Sequence, residues 1–247
     1  MPGLLLALQF LTVIPLRISN VNEKKLGVSL IYFPIVGLLI GLFLTGINNL
    51  LFFAGFPEFV TNIILVVSLV ILTGGMHLDG LSDTFDSIFS VKGKDEILRI
   101  MRDPHAGAMG VLSIICVLLL KISFLSCINP VLKNPALIIM CISSRWAMVF
   151  AMRFFPYARQ EGKARIYMQN MNANIFIMST AIAIACLLVI GNAMGVLVFV
   201  FVAVFAALCS KFVTKKISGI TGDTLGALCE LCEVVVLLYI IIMAKIL

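Results

Sequence analysis

Seven apolar stretches of up to about two dozen residues constrain this chain more than anything else in its sequence. They run Leu30–Phe53, Phe59–Thr73, Gly107–Ile128, Pro135–Phe154, Asn174–Gly191, Gly195–Phe212 and Leu225–Ile246. An α-helix rises about 1.5 Å per residue, so about 20 such residues cross the roughly 30 Å hydrocarbon layer of a bilayer. The second stretch is short for a crossing unless it continues into Gly74–Leu78. Only 12% of the 247 residues are charged, 62% are hydrophobic, and the mean hydropathy is +1.16. Soluble domains carry about 25% charged residues. The pattern therefore excludes a soluble globular domain and predicts an all-α fold, a polytopic transmembrane helical bundle of about seven spans. With no long linker, low-complexity tract or internal repeat, residues 1–247 read as a single integral membrane domain. An eighth stretch, Leu4–Leu16, is only thirteen residues long and closes on Pro15. That length suits a short re-entrant or interfacial segment; no basic residues precede it and no small-residue cleavage pattern follows, so it does not read as a signal peptide.

The 18 Lys and Arg residues orient the bundle, because short cytosolic loops collect positive charge. With the N-terminus inside, fourteen of them fall on the cytosolic side, in Arg17–Lys25, Lys92–Arg102, Arg153–Arg165 and Lys211–Lys216. Lys133 and Lys245 fall on the opposite side, and Lys121 and Arg145 lie within spans. The expected location is the cytoplasmic (inner) membrane, multi-pass, with the C-terminus outside. The net charge of +6 is accounted for by this asymmetry, so no nucleic acid partner is expected. Nothing in the sequence speaks against a homo-oligomer. Among the seven cysteines only Cys229 and Cys232 form a C-x-x-C, and without a second Cys or His pair this is weak for zinc.

Seven of the twelve acids fall in three short stretches that this topology opens on the cytosolic side. Ionisable groups beside or within spans are costly to bury, which makes their positions informative. The first stretch, Gly74 to Asp86, carries Asp79, Asp83 and Asp86 at i, i+4 and i+7, within about 60° of arc on one helical face. Three like charges on one stripe are tolerated best around a cation, and oxygen ligands favour Mg²⁺, Mn²⁺ or Ca²⁺ over zinc. The stretch entering the last span carries Asp223, Glu230 and Glu233 at i, i+7 and i+10, again a single stripe, and Gly226 on the same side leaves room for close approach. The remaining stretch runs from Arg102 to Gly110. Asp103 before Pro104 fits a helix start as well as a site residue. His77 and His105 read as polar or phosphate contacts rather than metal ligands. Arg145, midway along a span, needs a partner, which a carboxylate or a substrate phosphate would supply equally. As solvated loop acids, Asp79, Asp83 and Asp86 would not need so regular a spacing.

Acids that can hold a divalent cation, ringed by Arg102, Arg159 and further Lys and Arg residues, match what phosphoryl or nucleotidyl transfer requires. The cation neutralises phosphate oxygens, the basic side chains steady the rest, and a spare carboxylate takes a proton from an attacking hydroxyl.

These residues resemble the cobalamin synthase family, adenosylcobinamide-GDP ribazoletransferase. The resemblance rests on Phe10 to Leu16, Phe33 to Gly37, Gly75 to Asp86, Arg102-Asp103-Pro104 through Gly110, Ser144-Arg145, Ala158-Arg159 with Glu161-Gly162, and Gly222-Asp223 through Glu233, in order over nearly the whole chain. Pro104 departs from the Ser expected there in many members. The resemblance implies a membrane transferase dependent on Mg²⁺ that joins α-ribazole or its phosphate to adenosylcobinamide-GDP and releases GMP. It leads us to expect metal on Asp79, Asp83, Asp86, Asp223, Glu230 and Glu233, substrate contacts from His77, Arg102, Asp103, His105, Arg145 and Arg159, and Asp83 or Asp86 as proton acceptor. Two alternatives stand beside it. A CDP-alcohol phosphotransferase also uses a membrane-embedded acidic motif, but Asp79-Gly80 here is followed by Leu-Ser-Asp without the expected Ala-Arg. A secondary transporter would place its acids near the midplane rather than at one face.

Overall fold

The computed structural model describes residues 2–16, 21–89 and 92–246, so Arg17 lies outside the described part. Helices account for most of it, and among the described residues the only β pairing is an isolated bridge between Tyr157 and Ile220. Helix α1 (Pro2–Leu11) is too short to cross and turns Leu6, Ala7 and Leu11 inward. Helix α2 (Glu23–Ser29) starts where the Asn22 side chain accepts from Lys25 N. It continues through a 3₁₀ turn into α3 (Phe33–Phe53), so the first crossing begins before Leu30.

Helices α4 (Glu58–Thr73) and α5 (Met76–Ile88) form one broken segment bent by 90°. The break is Gly74-Gly75, with φ of 65° and 68°, a left-handed pair that only glycine adopts without cost. After α6 (Lys94–Ile100) come α7 (Ala108–Cys127) and α8 (Pro130–Phe154). Pro135 was expected to open the α8 crossing, but the helix starts five residues earlier. Asn129 caps it and Pro130 takes the first turn, where a missing N–H costs nothing. Helix α8 is the axis of the bundle: nearly all of its residues from Ala136 to Met152 are buried, against α3 and the two helices that follow later in the chain. Gly41 admits α3 to this contact, since a Cβ there would stand 2.6 Å from Ile138 Cα.

Helix α9 (Lys163–Gln169) is a short surface piece. Helix α10 (Ala173–Ile217) has 45 residues, which would reach about 68 Å if straight, more than twice a hydrocarbon layer. It doubles back instead. Asn192 has φ 48° and ψ −134°, the Gly195 position meets the Leu187 carbonyl, and Trp146 reaches both arms, donating to Thr180 Oγ1 at 3.1 Å and lying tilted against the Phe199 ring with centroids 4.3 Å apart. The two arms match the expected stretches Asn174–Gly191 and Gly195–Phe212. Helix α11 (Gly222–Ile246) closes the bundle. By length and composition five helices can cross, and six if the bent α4–α5 pair is taken as one broken span. Counting the α10 hairpin as two brings the architecture to the expected seven.

Candidate active site

The bend at Gly74-Gly75 redirects the chain so that α5 packs along the start of α11. Their backbones meet at two glycines. A Cβ at Gly80 would lie 2.6 Å from the Asp223 carbonyl, and one at Gly226 would lie 3.2 Å from His77 Cα. This approach brings the α5 carboxylates Asp79 and Asp83 beside Asp223 of α11, close enough for each to act on Asp83 through space, with Arg159 opposing them. Asp223 is held in turn. Its Oδ2 lies 2.8 Å from Arg159 Nη2, and Thr221 and Thr224 cap the helix reciprocally, Thr221 N donating to Thr224 Oγ1 at 2.8 Å and Thr224 N to Thr221 Oγ1 at 3.2 Å.

Arg159 reaches this point because the loop after α8 pairs with the loop before α11. Ala158 N donates to Ile220 O at 2.9 Å, and Ile220 N to Pro156 O at 2.8 Å. The result is a cavity of about 270 Å³ whose polar wall is His77, Asp79, Tyr157, Arg159, Lys163 and Asp223. Arg159 Nε and both ring nitrogens of the fully buried His77 have no hydrogen-bond partner. Burial pushes the Tyr157 phenol above its ordinary pKa, with Arg159 acting against the shift. Tyr157 was not singled out from sequence: a tyrosine in a loop carries no periodic signal. Basic side chains continue outward from the cavity, with Arg165 on one flank of Arg159 and Arg102, Arg99 and Lys94 on the other.

Asp86 shares the α5 stripe but has a structural task. Its carboxylate accepts from Gly107 N at 2.7 Å and Gly110 N at 2.8 Å, so it caps α7 from another helix. Of the two readings open for Asp103, the helix start is taken by Asp86, because α7 begins only at Ala108, beyond the reach of Asp103. Asp103 and His105 are exposed and bond one another, Asp103 Oδ1 lying 2.7 Å from His105 Nδ1, and they stand outside the cavity. The His105 backbone N–H, and then its ring, holds the Asp103 carboxyl below its ordinary pKa.

Glu230 and Glu233 were expected on a metal, and the geometry gives them other partners. Lys121 of α7 donates to Glu230 Oε2 at 2.6 Å and to Glu233 Oε2, while Arg145 of α8 donates to Glu233 Oε1 and to Ser144 Oγ. All four charged groups are buried. Two cations inside an apolar bundle need counter-charges, and these two acids supply them, tying α7, α8 and α11 together beneath the cavity floor at His77. Arg145 therefore meets a carboxylate rather than a phosphate. Among the described residues no group of three His, Cys, Asp or Glu side chains is gathered as a ready-made metal site, Cys229 and Cys232 included.

Comparison with known proteins extends over nearly the whole chain. The family model described as cobalamin-5-phosphate synthase matches residues 3–241. An adenosylcobinamide-GDP ribazoletransferase from Caldanaerobacter subterraneus subsp. tengcongensis is 38% identical, covering 96% of each chain. The enzyme of that name from Roseiflexus sp. (strain RS-1) is 37% identical over 94% of this chain and 86% of its own, and that from Desulforamulus reducens is 35% identical over 97% and 96%. No solved structure matches.

Proposed function

The chain belongs to the cobalamin-5-phosphate synthase family, and from that premise we propose that it joins α-ribazole, or its phosphate, to adenosylcobinamide-GDP with release of GMP. The observation that supports the reading at particular residues is the pairing of Asp79 with Asp223 across the α5–α11 contact, with Arg159 and Lys163 in the same cavity and Asp83, one turn further along α5, within electrostatic reach of both acids. Asp79 and Asp223, with Asp83 beside them, would hold Mg²⁺ on the diphosphate. When bound, the cation neutralises phosphate charge. Arg159, whose Nε is unpartnered, and Lys163 grip phosphate oxygens, with Arg102 and Arg165 drawing the anionic substrate inward.

The acceptor hydroxyl attacks the phosphorus that carries cobinamide. A new P–O bond forms, the diphosphate P–O bond breaks, and GMP leaves with the electron pair. The hydroxyl proton passes to Asp83, which is half-buried among acids and free of the amide partners that occupy Asp86. The excess of basic loops supports a cytosolic active face in the inner membrane.

Purified protein given Mg²⁺, adenosylcobinamide-GDP and α-ribazole should release GMP in step with a complete corrinoid, and EDTA should stop it. CMP release from a CDP-activated lipid and an alcohol, without corrinoid turnover, would replace this reading with the phosphotransferase one. Solute flux into sealed liposomes without corrinoid chemistry would replace it with a transporter.

A further inference from the structure

Among the polar groups that wall the acid-lined cavity, Tyr157 has no task in the reaction described above. Its backbone is fixed. Residues 156–158 pair with the chain that enters α11, through Ala158 N to Ile220 O at 2.9 Å and Ile220 N to Pro156 O at 2.8 Å, and so stand in fixed relation to Asp223. Gly219 lets the two loops touch, since a Cβ there would stand 2.5 Å from Pro156 O. The far end of the ring is placed as well. A Cβ at Gly162 would run into the Tyr157 hydroxyl, and Gly162 has a φ of 144°, so the phenol tip lies over a position that only glycine leaves open. Gly162 and Lys163 border the same cavity, which puts the hydroxyl on its Lys163 side.

The hydroxyl itself is unengaged. No group among the described residues pairs with it, and, unlike the ring nitrogens of His77, it is not sealed from solvent. Burial holds the phenol above its ordinary pKa, so at neutral pH it keeps its proton and can donate. Arg159, Arg102 and Arg165 act on it through space, with Asp223 as the opposing acid. Three donors therefore share one cavity: this phenol, the Arg159 guanidinium and the Lys163 ammonium. A group with several anionic oxygens uses all three at once, and a base or a single ribose hydroxyl does not. We propose that Tyr157 is a catalytic residue whose hydroxyl donates a hydrogen bond to a non-bridging phosphate oxygen of the adenosylcobinamide-GDP diphosphate. The O–H bond stays intact throughout: the contact stabilises negative charge on the phosphate oxygens while the diphosphate P–O bond breaks. The inference rests on the functional reading above and adds a residue that neither the acidic stripes nor the basic loops mark. In the competing role the ring is only a spacer between the loops, and the hydroxyl contributes nothing.

Tyr157→Phe keeps the ring, the loop pairing and the fit over Gly162, and removes only the oxygen. In the whole chain purified in detergent, turnover of adenosylcobinamide-GDP and α-ribazole with Mg²⁺ should fall about 10- to 100-fold, the worth of a hydrogen bond to a charged group. Tm and the KM for α-ribazole should not change. Calorimetry with Mg²⁺ and GDP, a diphosphate that cannot react, should show binding about tenfold weaker than in wild type. Wild-type turnover and wild-type GDP affinity in the folded variant overturn the proposal. So does a lowered Tm with turnover per folded protein unchanged, which makes the hydroxyl a structural group. Wild-type protein that turns over no corrinoid, yet binds GDP and binds it more weakly once the hydroxyl is removed, sinks the reaction and spares the contact.

Discussion

Asp83 and Asp86 sit three residues apart on one face of α5 and do different work. Asp83 lies within electrostatic reach of Asp79, Asp223 and Arg159, while Asp86 spends its oxygens on the amides of Gly107 and Gly110. Asp83→Asn should lower turnover at least about 10²-fold, the usual contribution of a general base, without changing the melting temperature in detergent. Asp86→Ala should instead destabilise the protein by about 1–2 kcal/mol, the worth of a helix cap, which a thermal melt reads directly. The i, i+4, i+7 spacing placed these acids on one face, because helical period is a local property. It could not reveal that the partner of Asp86 is a pair of amides 21 and 24 residues further on. Glu230 and Glu233 show the same limit. Their stripe is legible in sequence, but that it faces Lys121 and Arg145 is decided by how three helices pack. Lys121→Met should cost about 3–5 kcal/mol by leaving buried carboxylates unpaired, and adding Glu230→Gln should recover part of it.

At the scale of elements, the site exists because α5 and α11 touch. Gly80 has no room for a Cβ against the Asp223 carbonyl, whereas Gly46 of α3 has nothing within 4 Å. Gly80→Ala should push the helices apart and strip most of the activity while the protein still folds, and Gly46→Ala should leave turnover unchanged, both read as GMP release per folded protein. Most helices were legible as apolar runs of spanning length. The 90° turn between α4 and α5 was only hinted at by the short second stretch, and the full length of α8 was hidden by Pro135. The Tyr157–Ile220 bridge, which delivers Arg159 to Asp223, left no trace in local pattern, since two-residue pairings between loops have no periodicity.

For the molecule as a whole, the bundle separates two polar ends. The far end carries the Lys133–Glu58 pair with Asn62, and the near end carries the acids, Arg159 and the basic loops. A cysteine placed at Lys94 should therefore react with an impermeant reagent only after the cells are opened; labelling in intact cells would reverse the orientation. The clustering of the acids and basic loops made the separation of two polar ends legible in the sequence, while the division of labour among the acids needed the fold. The proposed Mg²⁺-dependent transfer site at Asp79, Asp83 and Asp223 is open to one decisive measurement, GMP release from adenosylcobinamide-GDP and α-ribazole as Mg²⁺ is titrated, in wild type and in Asp223→Asn. Wild type should show Mg²⁺-dependent release that EDTA abolishes, and in folded Asp223→Asn release should be lost or need far more Mg²⁺. Release in the variant with wild-type rate and wild-type Mg²⁺ dependence would exclude Asp223 from the site.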